Sequence, residues 1–184
     1  MLHKLFPQLC NHLRAAVPAL GTIDIDMAQL DYEDQEPIQY PAVFIDLENI
    51  AWGDLGAGIQ KGPATLRFTV AVEVSEESYE GAQGRDNMLN RLEVVQQVHK
   101  ALQHHQGDGY GPLVRTSYRR DRVQHPEAWC LAMGYVSELI DNDGAQELAS
   151  VTDAALSVGV GAQPAPEEED DGFILPLIPT PSRA

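Results

Sequence analysis

Positive charge is what this sequence lacks most. Twelve lysines and arginines face 28 aspartates and glutamates over 184 residues, a formal net charge of −16. Nucleic-acid binding draws most of its affinity from basic side chains that neutralise phosphates. The balance therefore argues against sequence-specific contact with DNA or RNA, and against adhesion to an anionic membrane. It favours solubility, and self-association must work against it through a specific interface. Cysteine is nearly absent. Cys10 and Cys130 stand in neither a CxxC nor a metal-type spacing and read as small buried hydrophobes in a reducing compartment. Sequence alone leaves a disulfide between them open. Long apolar runs are missing too. No stretch approaches the roughly 20 apolar residues of a membrane-spanning helix. The first 20 residues are interrupted by Pro7, Gln8, Asn11, His12 and Arg14, so they lack the continuous apolar centre of a signal peptide. A protein kept in the cytoplasm is expected.

Apolar content of 43% suffices for a core, and the length suits one domain. Leu2, Leu5, Phe6, Leu9, Leu13 and Val17 recur at spacings of three and four, predicting a helix over residues 2–16 that Pro18 and Gly21 end. A short extended piece follows at 23–27, then an acidic loop at 31–36. Residues 42–52 predict a strand with Val43, Ile45 and Leu47 on one face and Phe44, Asp46, Glu48 and Ile50 on the other. Residues 53–62 hold four glycines and read as a mobile loop, too long for a tight turn. In 64–75, Leu66, Phe68, Val70, Val72 and Val74 alternate with wetter residues, the clearest period of two in the chain. A polar connection over 76–84 leads to a second helix at about 86–105, with Met88, Leu89, Leu92, Val95, Val98, His99 and Leu102 on one face. Two more strands, 114–124 and 128–140, are joined by a turn at His125, Pro126 and Glu127. The expected fold class is α+β: a mixed or antiparallel sheet packed on two main helices, forming a domain over 1–141. Residues 142–184 read as a flexible acidic extension containing prolines.

Few residues suggest chemistry. His99, His104 and His105 miss the spacing of four that a helical metal pair needs and suit a polar helix end. Glu76, Glu77 and Glu80 precede the second helix, where carboxylates are ordinary partners of its dipole. The glycine-rich stretch near Lys61 departs from a phosphate loop, because Pro63 follows Gly62 and no helix begins there. Ser75, Ser78 and Ser117 have no evident triad partners. No catalytic residue, metal or cofactor is called for. Asp54, Leu55, Ile59 and Lys61 are left as a candidate contact loop. Phe173, Ile174, Leu175, Leu177 and Ile178, after the acidic run 167–171, form either a docking motif or part of an unstructured tail. Arg115, Arg119, Arg120 and Arg122 make the one basic patch. With perfect alternation Arg120 and Arg122 share one face and Arg115 and Arg119 the other. The patch reads as a subunit contact facing acids such as those of 24–36, as a solvated strand, or as a nucleic-acid contact.

The order of elements and the phrases YPAVFIDLENIAW, LRFTVAVEV, NMLNRLEVVQQVHKAL and VRTSYRRDRVQHPEAWCLAMGYVSEL resemble the tail terminator, or tail completion, proteins of long-tailed bacteriophages and prophages. The resemblance spans roughly residues 1–141. It implies a small non-enzymatic α+β subunit that assembles as a ring, expected to be hexameric. The ring would cap the tail tube, stop its polymerisation and present a surface to the head-side neck or connector protein. The setting would be a virion tail assembled in a bacterial cytoplasm. Competing readings are a head–tail connector, a small phage enzyme, and an adaptor recruiting a partner through residues 173–178.

Overall fold

The computed structural model describes residues 1–31, 38–74, 79–121 and 128–145. Its first helix, α1 (Leu2–Ala16), buries Leu5, Leu9 and Leu13, one residue per turn on a single stripe. The chain then forms β1 (Thr22–Ile25), a 3-10 turn at Gln29–Asp31 and β2 (Ala42–Ile50). Next come β3 (Gly53–Gly56), β4 (Ile59–Glu73), α2 (Arg85–Leu102), β5 (Val114–Asp121) and β6 (Ala128–Asp141).

The six strands form one sheet in the order β1-β2-β4-β6-β5, with β3 beside β4. β1 and β2 run parallel, and every other pairing is antiparallel. The fold is thus α+β with a mixed sheet, as the alternating and helical periods predict. The centre of the sheet is the pairing of β4 with β6. It continues without a shift from Gln60 opposite Asp141 to Glu73 opposite Ala128.

Period-two alternation sends Leu66, Phe68 and Val70 of β4 to the same side as Leu131, Met133 and Tyr135 of β6. Val43 and Ile45 of β2 join them, and Leu5, Leu9, Leu13, Val95, Val98 and Leu102 of the helices cover them. Phe68 and Tyr135 meet edge to face with centroids 5.4 Å apart, a favoured aromatic geometry. On the opposite face Phe44, Ala42, Ala71 and Cys130 form a smaller cluster with Leu30. Cys10 and Cys130 are both free thiols, and burial pushes the Cys130 thiol up to about 12.

Several sequence expectations change. The stretch 53–62 is not a loose loop. β3 and β4 form a hairpin in which Gly56 pairs with Ile59, leaving the two-residue turn Ala57-Gly58. Their φ values of 54° and 76° are the positive pair a type I′ turn requires. A register shift between Leu47 and Asn49 inserts a bulge, and Ile50 consequently packs against the helix-side core rather than sharing the face of Phe44. In α2, Val94 is buried while Leu89 is exposed, so the inward stripe lies about one residue further round than expected. The helix stops at Leu102 because Gln103 is extended and His104 has a φ of 62°. The turn at 125–127, Glu76, Glu77, Ser75, Ser78, most of the acidic loop and the extension beyond 145 lie outside the described residues.

Phe68 is fully buried at the centre of this core. Phe68→Ala is expected to lower unfolding free energy by about 3–5 kcal/mol, read from urea denaturation. A loss under about 1 kcal/mol would contradict the assigned core.

Candidate subunit interface on the edge strand

The arginines fall on β5, the last strand of the sheet, which among the described residues pairs with β6 alone. A bulge between Arg115 and Ser117 breaks the simple alternation. Arg115, Tyr118 and Arg120 lie opposite Tyr135, Met133 and Leu131, whose side chains point to the helix layer. Ser117 and Arg119 lie opposite Gly134 and Ala132 and take the other face. The sequence expectation that Arg115 shares a face with Arg119 is therefore corrected. One extra residue in the strand moved Arg115 across the sheet. Arg122 lies outside the described residues.

Arg119 and Arg120 are exposed and Arg115 is half-buried. The Arg115 guanidinium sits 5.4 Å from the centroid of the Tyr118 ring, within cation–π range. None of these three arginines forms an ion pair among the described residues. Other cations are engaged. Arg91 reaches Glu73 at 2.8 Å, Lys61 reaches Glu138 at 2.9 Å, and Lys4 pairs with Asp143.

Arg67 of β4 is surrounded by carboxylates. Asp46 lies 3.0 Å away, and Asp26 and Glu48 each lie 3.5 Å away. A shallow cleft of about 220 Å³ runs from Arg67 and Glu48 to Arg119 and Ser117, floored by Ala132 and Gly134. Gly134 leaves room there for the Ser117 hydroxyl. A Cβ would stand 2.4 Å from Ser117 Oγ, which accepts the Gly134 N–H at 3.1 Å. Among the described residues of the lining, Ser117 carries the one hydroxyl, and no histidine or cysteine stands beside it.

Of the acids at 24–31, Asp24 sits on the other edge strand, while Asp31 ends the 3-10 turn whose Leu30 packs over Phe44, Ala71 and Cys130. Asp24 is on β1 and Asp26 is taken by Arg67. With four strand spacings between β1 and β5, the two edges lie about 19 Å apart. Arg119 and Arg120 therefore cannot reach Asp24 within one subunit. Among the described residues, the sheet has one edge carrying arginines without ion-pair partners and an opposite edge carrying exposed Asp24.

The candidate contact loop is ordered. Asp54 Oδ1 accepts the Gly56 N–H at 2.8 Å, Lys61 is held by Glu138, and Ile59 is half-buried. Leu55, 62% exposed at the hairpin, is the member left free to touch another surface. Residues 173–178 lie outside the described residues.

The histidines acquire a partner that sequence spacing does not reveal. His12 of α1 stacks on His105, with centroids 3.5 Å apart and planes 6° from parallel. His12 Nε2 donates to the Ala101 carbonyl at 2.7 Å, since a carbonyl can only accept. His99 Nδ1 lies 2.8 Å from the Tyr135 hydroxyl. No group of three metal-binding side chains occurs among the described residues. Family models and curated proteins were both compared with the chain, and neither comparison gave a match.

Burial, then His12, holds His105 below the ordinary histidine value. Burial, then Arg115, does the same for His99. Both bind protons less readily in the folded state. Their contribution to stability is complete above about pH 6.5 and is lost as pH falls below it through the lowered folded values. The urea midpoint is expected to drop between pH 7.5 and the acid side of this window. His105→Gln should flatten part of that drop, and an unchanged profile would remove the packed imidazole from the account.

Proposed function

We propose that this chain is a non-enzymatic structural subunit that closes into a head-to-tail ring, of the tail terminator kind. The ring caps a phage tail tube, ends its growth and offers a surface to the head-side connector. The observation that carries the reading is the opposition of charge across one sheet. Arg119 and Arg120, without an ion-pair partner among the described residues, stand on the β5 edge, and exposed Asp24 stands on the β1 edge. A heterologous interface needs two different complementary patches on one molecule, and it gives a ring when the rotation closes. Edges of opposite sign on a rigid sheet meet that requirement. They also supply attraction between molecules that otherwise repel at a net charge of −16.

The rest of the molecule is compatible with this role. The hairpin of β3 and β4 projects Leu55 as an apolar contact for the tube protein. An acidic wall around a ring channel would repel passing DNA and keep it from binding. A neck or connector protein would use the same construction, and the identity of the partner separates the two.

Electron microscopy together with solution mass over a range of concentrations tests the reading. Closed rings of about six subunits are expected. Arg120→Glu should weaken assembly and leave the monomer folded, and adding Asp24→Arg to that variant should restore it. Normal rings in Arg120→Glu would remove the interface. A monomer at every concentration would remove self-closure.

A further inference from the structure

Among the described residues β1 pairs with β2 alone and β5 pairs with β6 alone. Each end of the sheet therefore presents a strand with one neighbour. An edge strand offers backbone N–H and C=O groups to another chain, and native proteins blunt such edges with bulges and charge. The bulge between Arg115 and Ser117 blunts the first half of β5, but from Ser117 to Asp121 its register with β6 runs without a shift. β1 has four residues, Thr22–Ile25. The regular part of one edge is thus long enough to take the whole of the other.

Strand order sets the direction in which two copies can meet. β1 and β2 are parallel, and each step from β2 to β4, β6 and β5 reverses, so β1 and β5 run in opposite senses. A second copy placed as a lateral continuation of the sheet, with its helices on the same side, brings its β1 antiparallel to β5. Register sets the facing. Asp24 stands opposite Phe44, on the face away from the helices, and Arg119 takes that same face opposite Ala132. Ile25 stands opposite Ile45 and Tyr118 opposite Met133, both on the helix side. Charge then selects the partner. Two β5 edges would bring arginines together and two β1 edges would bring Asp24 near Asp24, and like charges across a strand pair are destabilising. Of the β5 residues on the face of Asp24, Ser117 is uncharged and Asp121 repels it, which leaves Arg119.

We propose that β5 of one subunit and β1 of a second copy pair as antiparallel strands, with Asp24 opposite Arg119 and Ile25 opposite Tyr118, so that the sheet continues from subunit to subunit. This pairing rests on the ring reading and specifies how one subunit holds the next. The Asp24 carboxylate is already oriented. It accepts the Ile25 N–H at 2.8 Å and a proton of Gln29 Nε2 at 3.1 Å, and a carboxylate keeps further acceptor sites for a guanidinium. Tyr118, 52% exposed within its own subunit, gains a β-branched neighbour across the strands, a favoured pair on a sheet. The backbone ladder supplies affinity, and the alternate side chains supply register and choice of partner.

The test uses the full-length chain carrying Cys10→Ser, Ile25→Cys and Tyr118→Cys, which leaves Asp24 and Arg119 in place and Cys130 buried. Within one subunit the two new thiols lie on edges about 19 Å apart, far beyond disulfide reach, so a bond between them joins two copies. Under a mild oxidant, a ladder of linked subunits is expected without reductant, and peptide mass mapping should place the link between positions 25 and 118. Rings seen by electron microscopy without that link would overturn the strand pairing and leave the ring reading standing. Links between two copies of position 118 would overturn the pairing of unlike edges. A chain that never assembles would overturn both. The charge pair has its own readout. Asp24→Arg should rescue assembly of Arg119→Glu several-fold better than that of Arg120→Glu, because Arg120 lies on the helix side opposite Leu131. Equal rescue would contradict the register.

Discussion

The structure depends on the long antiparallel pairing of β4 with β6. β4 is 15 residues and β6 is 14, and their register is unbroken. Every other element is placed against this pair. β2 and β3 line one side of β4, β5 lines the far side of β6, and β1 extends the sheet beyond β2. The helix-side residues of the two strands form the floor on which α1 and α2 rest. A continuous ladder also fixes which residues face the core. A slip of one position would turn Phe68 and Tyr135 outward.

From this spine comes a molecule with one helix-covered face and two unlike edges. The irregularities are local and specific. The bulge in β5 aims Arg115 at the helix side, where its charge adds to burial in lowering the proton affinity of His99. Arg67 ties β4 to β2 through Asp46 and Glu48, and to the residue following β1 through Asp26. These pairs are partly exposed to water, so solvent screening keeps each modest in energy. They engage Asp26, Asp46 and Glu48, while Arg119 and Arg120 have no ion-pair partner among the described residues.

Much of the fold was legible because its signals are local. The leucine stripe of α1 and the alternation through Leu66, Phe68 and Val70 both report which side of an element meets the core, and both agree with the structure. Three features were not legible. Glycines at 53–62 suggested looseness, but Gly58 and Ala57 build a specific turn whose φ signs decide the hairpin. The bulges after Leu47 and Arg115 reversed the facing of Ile50 and Arg115, and nothing in the residue pattern marks an inserted position. The His12–His105 stack joins residues far apart in sequence, so no spacing rule could find it. The arginine patch itself was visible, but its place on the sheet edge opposite Asp24 became visible only through strand order.

Native-state hydrogen exchange resolved by residue tests the central claim most directly. The amides that bridge β4 and β6 should be the slowest in the protein, exchanging only through global unfolding, while α1, α2 and β5 open at lower cost. The account is contradicted if the amides of Leu66, Phe68, Leu131 and Met133 exchange sooner than those of the helices resting on them.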